Sequence, residues 1–313
     1  MNALIFGASG QDGYYLAELC KKYHISPLLI SRSTGSCIQA DVANFAAVDS
    51  LIKQHTPAYI FHLAANSTTR LDVLFENHQT ICTGSLNILE ATRRHAPNAR
   101  VFLTGSGLQF QNTGAPISET NTFNPSTPYS VSRIHSVYSG RYFRSLGMKV
   151  YVGYLFHHES PLRKPGHIAK VISSAVARIS LGSTESLEIG DIRVKKEWTF
   201  AGDVMEGVWT LVNQDSVLES TIGSGIPYTI EQWLQCCFSY IDKNWRDHVT
   251  SRQEYVADYN CLLSDPSTIF SLGWRPKVAL DQLAAMMVEA DVQSILQSND
   301  SRDSLDIGNF GRH

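Results

Sequence analysis

Asn2-Ala3-Leu4-Ile5-Phe6, Gly7-Ala8-Ser9-Gly10-Gln11-Asp12-Gly13 and Tyr14-Tyr15-Leu16-Ala17-Glu18-Leu19 follow one another without a spacer, and their reading decides the fold. The first run is short and apolar, as a buried strand is, and the last has helical periodicity. Between them, glycines at 7, 10 and 13 let the backbone turn sharply and approach a pyrophosphate closely. They also leave N–H groups free at a helix N-terminus. The arrangement predicts a dinucleotide site in this turn, with Gly7, Ser9, Gly10, Gln11, Asp12 and Gly13 as its contacts.

Outward from the turn the pattern repeats. Residues 27–31, 58–63, 100–104 and 149–155 read as further strands, and 84–95 and 129–145 as helices between them. Short apolar runs alternating with amphipathic helices predict an α/β fold with a doubly wound, Rossmann-type parallel sheet. Past Phe156 the alternation stops. A loop rich in His, Pro and Lys leads to a helix over 168–181, a short strand over 185–189 and a helix over 204–213. We therefore expect a dinucleotide-binding domain over residues 1–156, to which about 190–215 returns, and a smaller interleaved substrate domain over 157–297. Residues 298–313 are polar and read as a frayed tail.

Composition bounds the function. The 313 residues are 43% hydrophobic and 18% charged, enough for a sizeable core and unlike a disordered or disulfide-built chain. With 26 basic and 29 acidic residues the net charge is −3, so nothing global attracts nucleic acid or an anionic membrane. Neither is expected as a partner, and anion binding must be local. No apolar run reaches the ~18–20 residues of a membrane span. The first six residues lack the basic flank of a signal peptide, and the six cysteines form no CxxC pair. A soluble cytoplasmic protein is the expectation.

NAD-selective sites usually end the second strand on an acidic residue that binds the ribose hydroxyls. Here that strand ends Ile30-Ser31-Arg32-Ser33. An arginine flanked by serines suits the 2′-phosphate of NADP(H) through charge-assisted hydrogen bonds. NADP(H) is therefore favoured over NAD(H), with Arg32 as the reader.

With these residues in view the chain resembles the extended short-chain dehydrogenase/reductase superfamily. Within it the likeness is to the GDP-mannose 4,6-dehydratases and their sister GDP-4-keto-6-deoxymannose reductases, over roughly residues 3–290. The glycine turn carries it, as do His62-Leu63-Ala64-Ala65-Asn66-Ser67, Pro128-Tyr129-Ser130-Val131-Ser132-Arg133, Phe156-His157-His158-Glu159-Ser160-Pro161 and Gly223-Ser224-Gly225. The resemblance implies that Asp41 and Val42 lie at the adenine and that Leu63, Ala64 and Ala65 line the cofactor.

Hydride transfer at a secondary alcohol needs a group that takes or returns the hydroxyl proton, and a phenol does so near neutral pH only beside a cation. The superfamily supplies a Tyr and, one helical turn later, a Lys that also holds the nicotinamide ribose. Tyr129 stands at the first position, but the second is Arg133. The cation is kept. A guanidinium, however, is planar, longer and unable to give up a proton. Ser106 matches the hydroxyl that hydrogen-bonds the reacting oxygen. Leu108 falls where dehydratases carry a Glu, and a Leu side chain can neither remove the C5 proton nor protonate a departing C6 hydroxyl.

On the substrate side the resemblance implies contacts from Ser67, Ser106, Leu108, His157 and Glu159. A basic group of Arg163, Lys164 and Lys170, and Lys196 at the family's arginine position, would meet a diphosphate as point charges. His157-His158-Glu159 is not read as a metal site, because neighbours on an extended segment point opposite ways. The leading reading is an NADP(H)-dependent oxidoreductase acting at C4 of a nucleotide-diphosphate sugar, GDP-linked. The alternatives are a 4,6-dehydratase whose C5 base comes from elsewhere, and an NADP(H)-binding protein with little catalysis. By the same resemblance, pairing of helices 84–95 and 129–145 implies a homodimer.

Overall fold

The computed structural model describes residues 1–33, 35–66, 70–252 and 257–307. In chain order it contains β1 (Asn2–Phe6), α1 (Gln11–Lys22), β2 (Ser26–Ser31), β3 (Ile38–Gln39), α2 (Phe45–His55), β4 (Tyr59–His62) and α3 (Leu74–Asn77). Then come α4 (Gly84–His95), β5 (Arg100–Ser106), α5 (Pro128–Ser145), β6 (Lys149–Leu155), β7 (His158–Glu159), α6 (Ile168–Ser180), β8 (Leu187–Ile189) and β9 (Lys195–Lys196). The chain ends with β10 (Thr199–Phe200), α7 (Ala201–Val212), β11 (Glu219–Ile222), α8 (Ile230–Ser239), α9 (Ser267–Ser271) and α10 (Leu280–Ile307), short strands apart.

Seven strands form one sheet in the order β11-β6-β5-β4-β1-β2-β3, and every neighbouring pair is parallel. Side chains alternate across it, as a strand's twofold repeat requires. Leu4, Phe6, Ile60, Val101 and Val150 point to one face, where Val48, Ile52, Ile88, Leu89 and Val137 of α2, α4 and α5 cover them. Ala3, Ile5, Phe61, Phe102 and Tyr151 point to the other, against Leu16 and Cys20 of α1 and Val204, Val208 and Trp209 of α7. Apolar strands with both faces covered are what a doubly wound sheet needs. A third cluster gathers α6, α8 and α10 around Trp198 and Trp233, whose rings stack 4.7 Å apart.

Strand order reverses between β1 and β4, and the crevice beyond their carboxyl ends is where such folds bind ligands. The segments after β1, β4 and β5 all open into it. The start of α5 is fixed beside them by a capping box: the Ser130 N–H donates to Thr127 Oγ1 (3.1 Å), and the Thr127 N–H to Ser130 Oγ (2.9 Å). With Pro128 in the first turn, this fixes where the helix starts and so the place of buried Tyr129 in that turn.

Three expectations need correction. The strand expected over 185–189 is confined to Leu187–Ile189, and the helix expected from Val204 begins at Ala201. More substantially, α10 runs through the polar segment to Ile307 where a frayed tail was expected. Residues 298–307 contain neither Gly nor Pro, so nothing in their backbone chemistry stops the helix before Gly308. No helix among the described residues is long and apolar enough to cross a membrane.

Candidate active site

The glycine turn is built as its spacing requires. Gly7 has φ +90°, and a Cβ on it would lie 2.6 Å from the Ala64 nitrogen. A Cβ on Gly13 would lie 2.5 Å from Ala8 Cα, so helix and turn could not pack. Gly10 differs: its nearest neighbour would be the Gly7 carbonyl at 3.5 Å, and its face is open to the groove. Gly10 also caps α1 without any side-chain hydrogen bond, leaving the first-turn N–H groups available. A free helix N-terminus over a cradle closed by glycine contacts is what a dinucleotide pyrophosphate fits, and the residues present fit one here.

The groove has two joined ends that share Gly7, Gly10, Leu63, Ala65 and Lys164. One, a chamber of about 200 Å³, is lined by Ser9, Ser31, Arg32, Asp41, Val42, Ala64 and Glu76 among others. There the exposed Arg32 guanidinium is paired with Glu76 at 2.7 Å. Asp41 Oδ1 accepts from the Ala43 N–H at 2.9 Å, and Val42 is buried with its carbonyl held by Asn87 Nδ2 (3.0 Å).

The other end, about 280 Å³, brings Ser106, Leu108, Tyr129 and Arg133 together with Gln11 and Asp12. Ser106 Oγ accepts from the Leu108 N–H (3.2 Å), which leaves its own proton free for an oxygen in the cleft. Tyr129 is buried, and its phenol bonds to no described residue. Arg133 is 3% exposed. Its Nη1 donates to the Thr104 carbonyl (2.6 Å), its guanidinium lies 5.1 Å from the Tyr129 ring centre, and its Nε has no partner among the described residues. Leu108 lines this end directly, where no carboxylate stands in its place.

Why Gln11 and Asp12 accompany the glycines is explained by the segment after β6. Asp12 Oδ1 lies 3.0 Å from His158 Nε2, and Ser160 Oγ donates to Gln11 Oε1 at 2.7 Å. These contacts tie the turn to residues 157–163. Burial alone would lower the His158 pKa, but the Asp12 carboxylate outweighs it and holds it above its usual value. Burial likewise opposes ionisation of Asp12, and His158 with Arg163 brings its pKa below the ordinary value.

The same segment forms a cation-rich wall. Glu159 is fully buried between Arg163 Nε (2.6 Å) and His157 Nε2 (3.1 Å), and its burial raises its pKa. Burial, then Lys196 and Arg163, hold His157 well below its usual value. Burial, then Arg163 and Lys196, bring His167 to about 4. Lys196 is itself lowered by burial, partly offset by Glu159. Burial first, and the neighbouring cations second, keep these imidazoles neutral, so the positive charge of this wall sits on Arg163, Lys164 and Lys196.

Not every candidate residue arrives there. Lys170 is absent from the cleft's lining: its ammonium pairs with Asp291 of α10 and donates to the Pro161 carbonyl at 3.0 Å, which joins α6 to α10. Glu159 and Lys196 act on the cleft through their neighbours and do not line it. Ser67 lies outside the described residues. His167, Tyr259 and Leu262 line the cleft without having been singled out. His167 belongs to the His- and Lys-rich loop, a signal that was available. Tyr259 and Leu262 arrive from a distant part of the chain and left none. Among the described residues no group of three His, Cys, Asp or Glu could hold a metal ion.

Known proteins resemble this chain over most of its length. The family model for GDP-mannose 4,6 dehydratase matches residues 4–287. GDP-mannose 4,6 dehydratase 2 of Arabidopsis thaliana is 30% identical over 323 residues, covering 93% of this chain and 87% of that protein. The human GDP-mannose 4,6 dehydratase is 26% identical, covering 93% and 91%. Among solved structures, RMD from Pseudomonas aeruginosa complexed with NADPH superposes with a TM-score of 0.83 at 18% identity, over 94% of this chain and 99% of that one. A Thermotoga maritima UDP-glucose 4-epimerase with UDP-glucose gives 0.82 at 19%, over 94% and 100%. At these identities the structural likeness speaks for the fold.

Proposed function

The chain belongs to the GDP-mannose 4,6-dehydratase family, and from that premise we propose that it is an NADP(H)-dependent oxidoreductase acting at C4 of a GDP-linked sugar. One observation carries the choice within the family. Tyr129 and Ser106 face the reacting end of the cleft, while the residue beside them is Leu108, which can move no proton.

When bound along this groove, NADP(H) would supply hydride chemistry at the sugar carbon. The protein's residues do the rest. Gly7, Gly10 and the first turn of α1 bind the pyrophosphate. Arg32 reads the 2′-phosphate, exchanging Glu76 for it. Ser106 donates to the C4 oxygen and Tyr129 passes a proton to it or takes one from it. Arg133, anchored on Thr104, keeps a fixed positive charge beside the phenol and orients the nicotinamide ribose. Arg163 and Lys164 in the cleft wall, with Lys196 behind them, supply the field that holds the substrate diphosphate, and neutral His157 lines the same wall.

Family membership also favours the dehydratase reading, in which another cleft group replaces the missing Glu. His167 is the free imidazole nearest that role, but at a pKa of about 4 it is a weak base. Two assays separate the readings. Consumption of NADPH with a GDP-4-keto-6-deoxy sugar is the expected result. Formation of a 4-keto product from GDP-mannose would favour the dehydratase, and binding of NADPH without either reaction would leave only a cofactor-binding protein.

We place the protein in the cytoplasm, in keeping with six cysteines that are all unpaired thiols. A homodimer through α4 and α5 accounts for their outward apolar side chains: Leu86, Val131, Tyr138 and Tyr142 are each about half exposed, between 47% and 60%. Sedimentation as a monomer or tetramer would contradict this arrangement.

A further inference from the structure

Past Leu108 the cleft opens into a second cavity of about 690 Å³, a size within the ~300–1,000 Å³ of small-molecule sites. Leu108, Tyr259 and Leu262 line both spaces, so the second continues the first. Their chemistry differs. The first is walled by Arg163, Lys164 and histidines. The second, among the described residues, is lined by no Lys, Arg or His, and Asp258 is its one charged residue. A phosphate there would meet a carboxylate and no cation.

What the cavity does offer is mixed. Phe110 and Leu262 give apolar surface. Asn124, Ser126 and Asn260 bring amides and a hydroxyl whose side chains bond to no other described residue. Amides and hydroxyls both donate and accept, as do the hydroxyls of a sugar, and a sugar's C–H faces suit apolar and aromatic surface. Leu108 at the junction adds no charge that would repel or trap a neutral group passing it.

We infer that the substrate sugar carries a neutral, hydroxyl-rich extension, a second sugar ring in chemical terms, which passes Leu108 and lodges in this second cavity. The inference rests on the nucleotide-sugar reading above, and its test keeps the two apart. Protein loaded with NADPH and GDP is titrated with mannose and with a mannose disaccharide, followed by saturation-transfer NMR. Inorganic pyrophosphate serves as the anionic competitor. The disaccharide should bind about fivefold more tightly than mannose, the worth of one or two net hydrogen bonds. Pyrophosphate should not displace its second ring.

The variant Asn124→Leu/Asn260→Leu should lose this preference while NADPH affinity and melting temperature stay unchanged, since both positions are exposed. Thr113→Trp, which fills the cavity from an exposed position, should lose it too. Equal affinity for the two sugars, a preference that survives in both variants, or displacement by pyrophosphate overturns the inference. Failure of NADPH or GDP to bind at all would overturn the functional reading, and this inference with it.

Discussion

Arg32→Ala is the sharpest test of the cofactor end, because the structure shows the pair that Arg32 must leave to meet a 2′-phosphate. In the free protein Arg32 is held by Glu76 at 2.7 Å, with the two side chains 62% and 37% exposed. An ion pair that open contributes about 0–1 kcal/mol. A charge-assisted hydrogen bond to a 2′-phosphate is worth about 1.5–3 kcal/mol, from which loss of the Glu76 pair must be subtracted. The net is about 1–2 kcal/mol, so Arg32→Ala should raise the NADPH dissociation constant about 5- to 30-fold. NADH, which lacks the phosphate, should bind as before. Glu76→Gln removes the competing acceptor and should tighten NADPH by up to about fivefold, the upper value of an exposed pair. Nicotinamide fluorescence titrations near 0.1 M salt read all three proteins. The selectivity should shrink as salt is raised, because the Debye length falls from about 10 Å at 0.1 M to about 3 Å at 1 M. A parallel loss of NADH and NADPH affinity in Arg32→Ala would refute the reasoning, since it would make Arg32 a support for the loop. So would weaker NADPH binding in Glu76→Gln.

Tyr129→Phe should lower kcat by about 10²- to 10⁴-fold while NADPH binding and melting temperature hold, because the phenol bonds to no described residue. A large drop in melting temperature would make it a core tyrosine. The glycines should separate by role. Gly13→Ala, with its methyl 2.5 Å from backbone, should destabilise the fold by about 1–3 kcal/mol. Gly10→Ala should leave melting unchanged and weaken only the cofactor, and equal effects at the two positions would contradict the cradle. Leu108→Glu should introduce solvent-deuterium exchange at C5 of GDP-4-keto-6-deoxymannose, read by NMR, if the missing carboxylate is what limits proton removal. Acid should destabilise the protein early. Burial holds His62 at about 3, and His167 lies at about 4, both below the ~6.5 of an unfolded histidine. The unfolded chain therefore takes up their protons first. Stability is intact above pH ~6.5 and falls by about 1.4 kcal/mol per pH unit for each group as pH drops towards those values. His62→Gln should flatten the slope of melting temperature between pH 6.5 and 5, and an unchanged slope would count against the assignment.

What the sequence revealed and what it hid divide by the range of the forces involved. The turn at Gly7–Gly13 was legible because its constraints are local: a Cβ at Gly13 collides with Ala8, only five residues away. Tyr129 was legible for the same reason, since Thr127, Pro128 and Ser130 fix the helix start around it. The partners of the charged residues were not. Lys170 suited a diphosphate by composition, yet its nearest anion is Asp291, 121 residues on. Arg32 meets Glu76 across 44 residues, and Asp12 meets His158 across 146. A long cationic side chain has many acceptors within reach, and which it takes is settled by tertiary packing that no spacing rule encodes. The second cavity was hidden for the same reason, since the segment 258–262 completes it from far along the chain.

The two departures at the reacting end belong together when read as charge placement. A lysine beside the phenol can exchange its own proton; Arg133 cannot, and it is committed to the Thr104 carbonyl by a 2.6 Å bond in an almost fully buried position. Its unpartnered Nε leaves a buried donor that costs about 1–3 kcal/mol, a cost retained only where something else is gained. What remains is a guanidinium fixed beside the Tyr129 ring, 5.1 Å from its centre. Leu108 meanwhile removes the group that would act on C5. In the proposed function the two together leave the Tyr129 phenol to move the one proton that hydride transfer at C4 requires, with no carboxylate at position 108 for a step at C5.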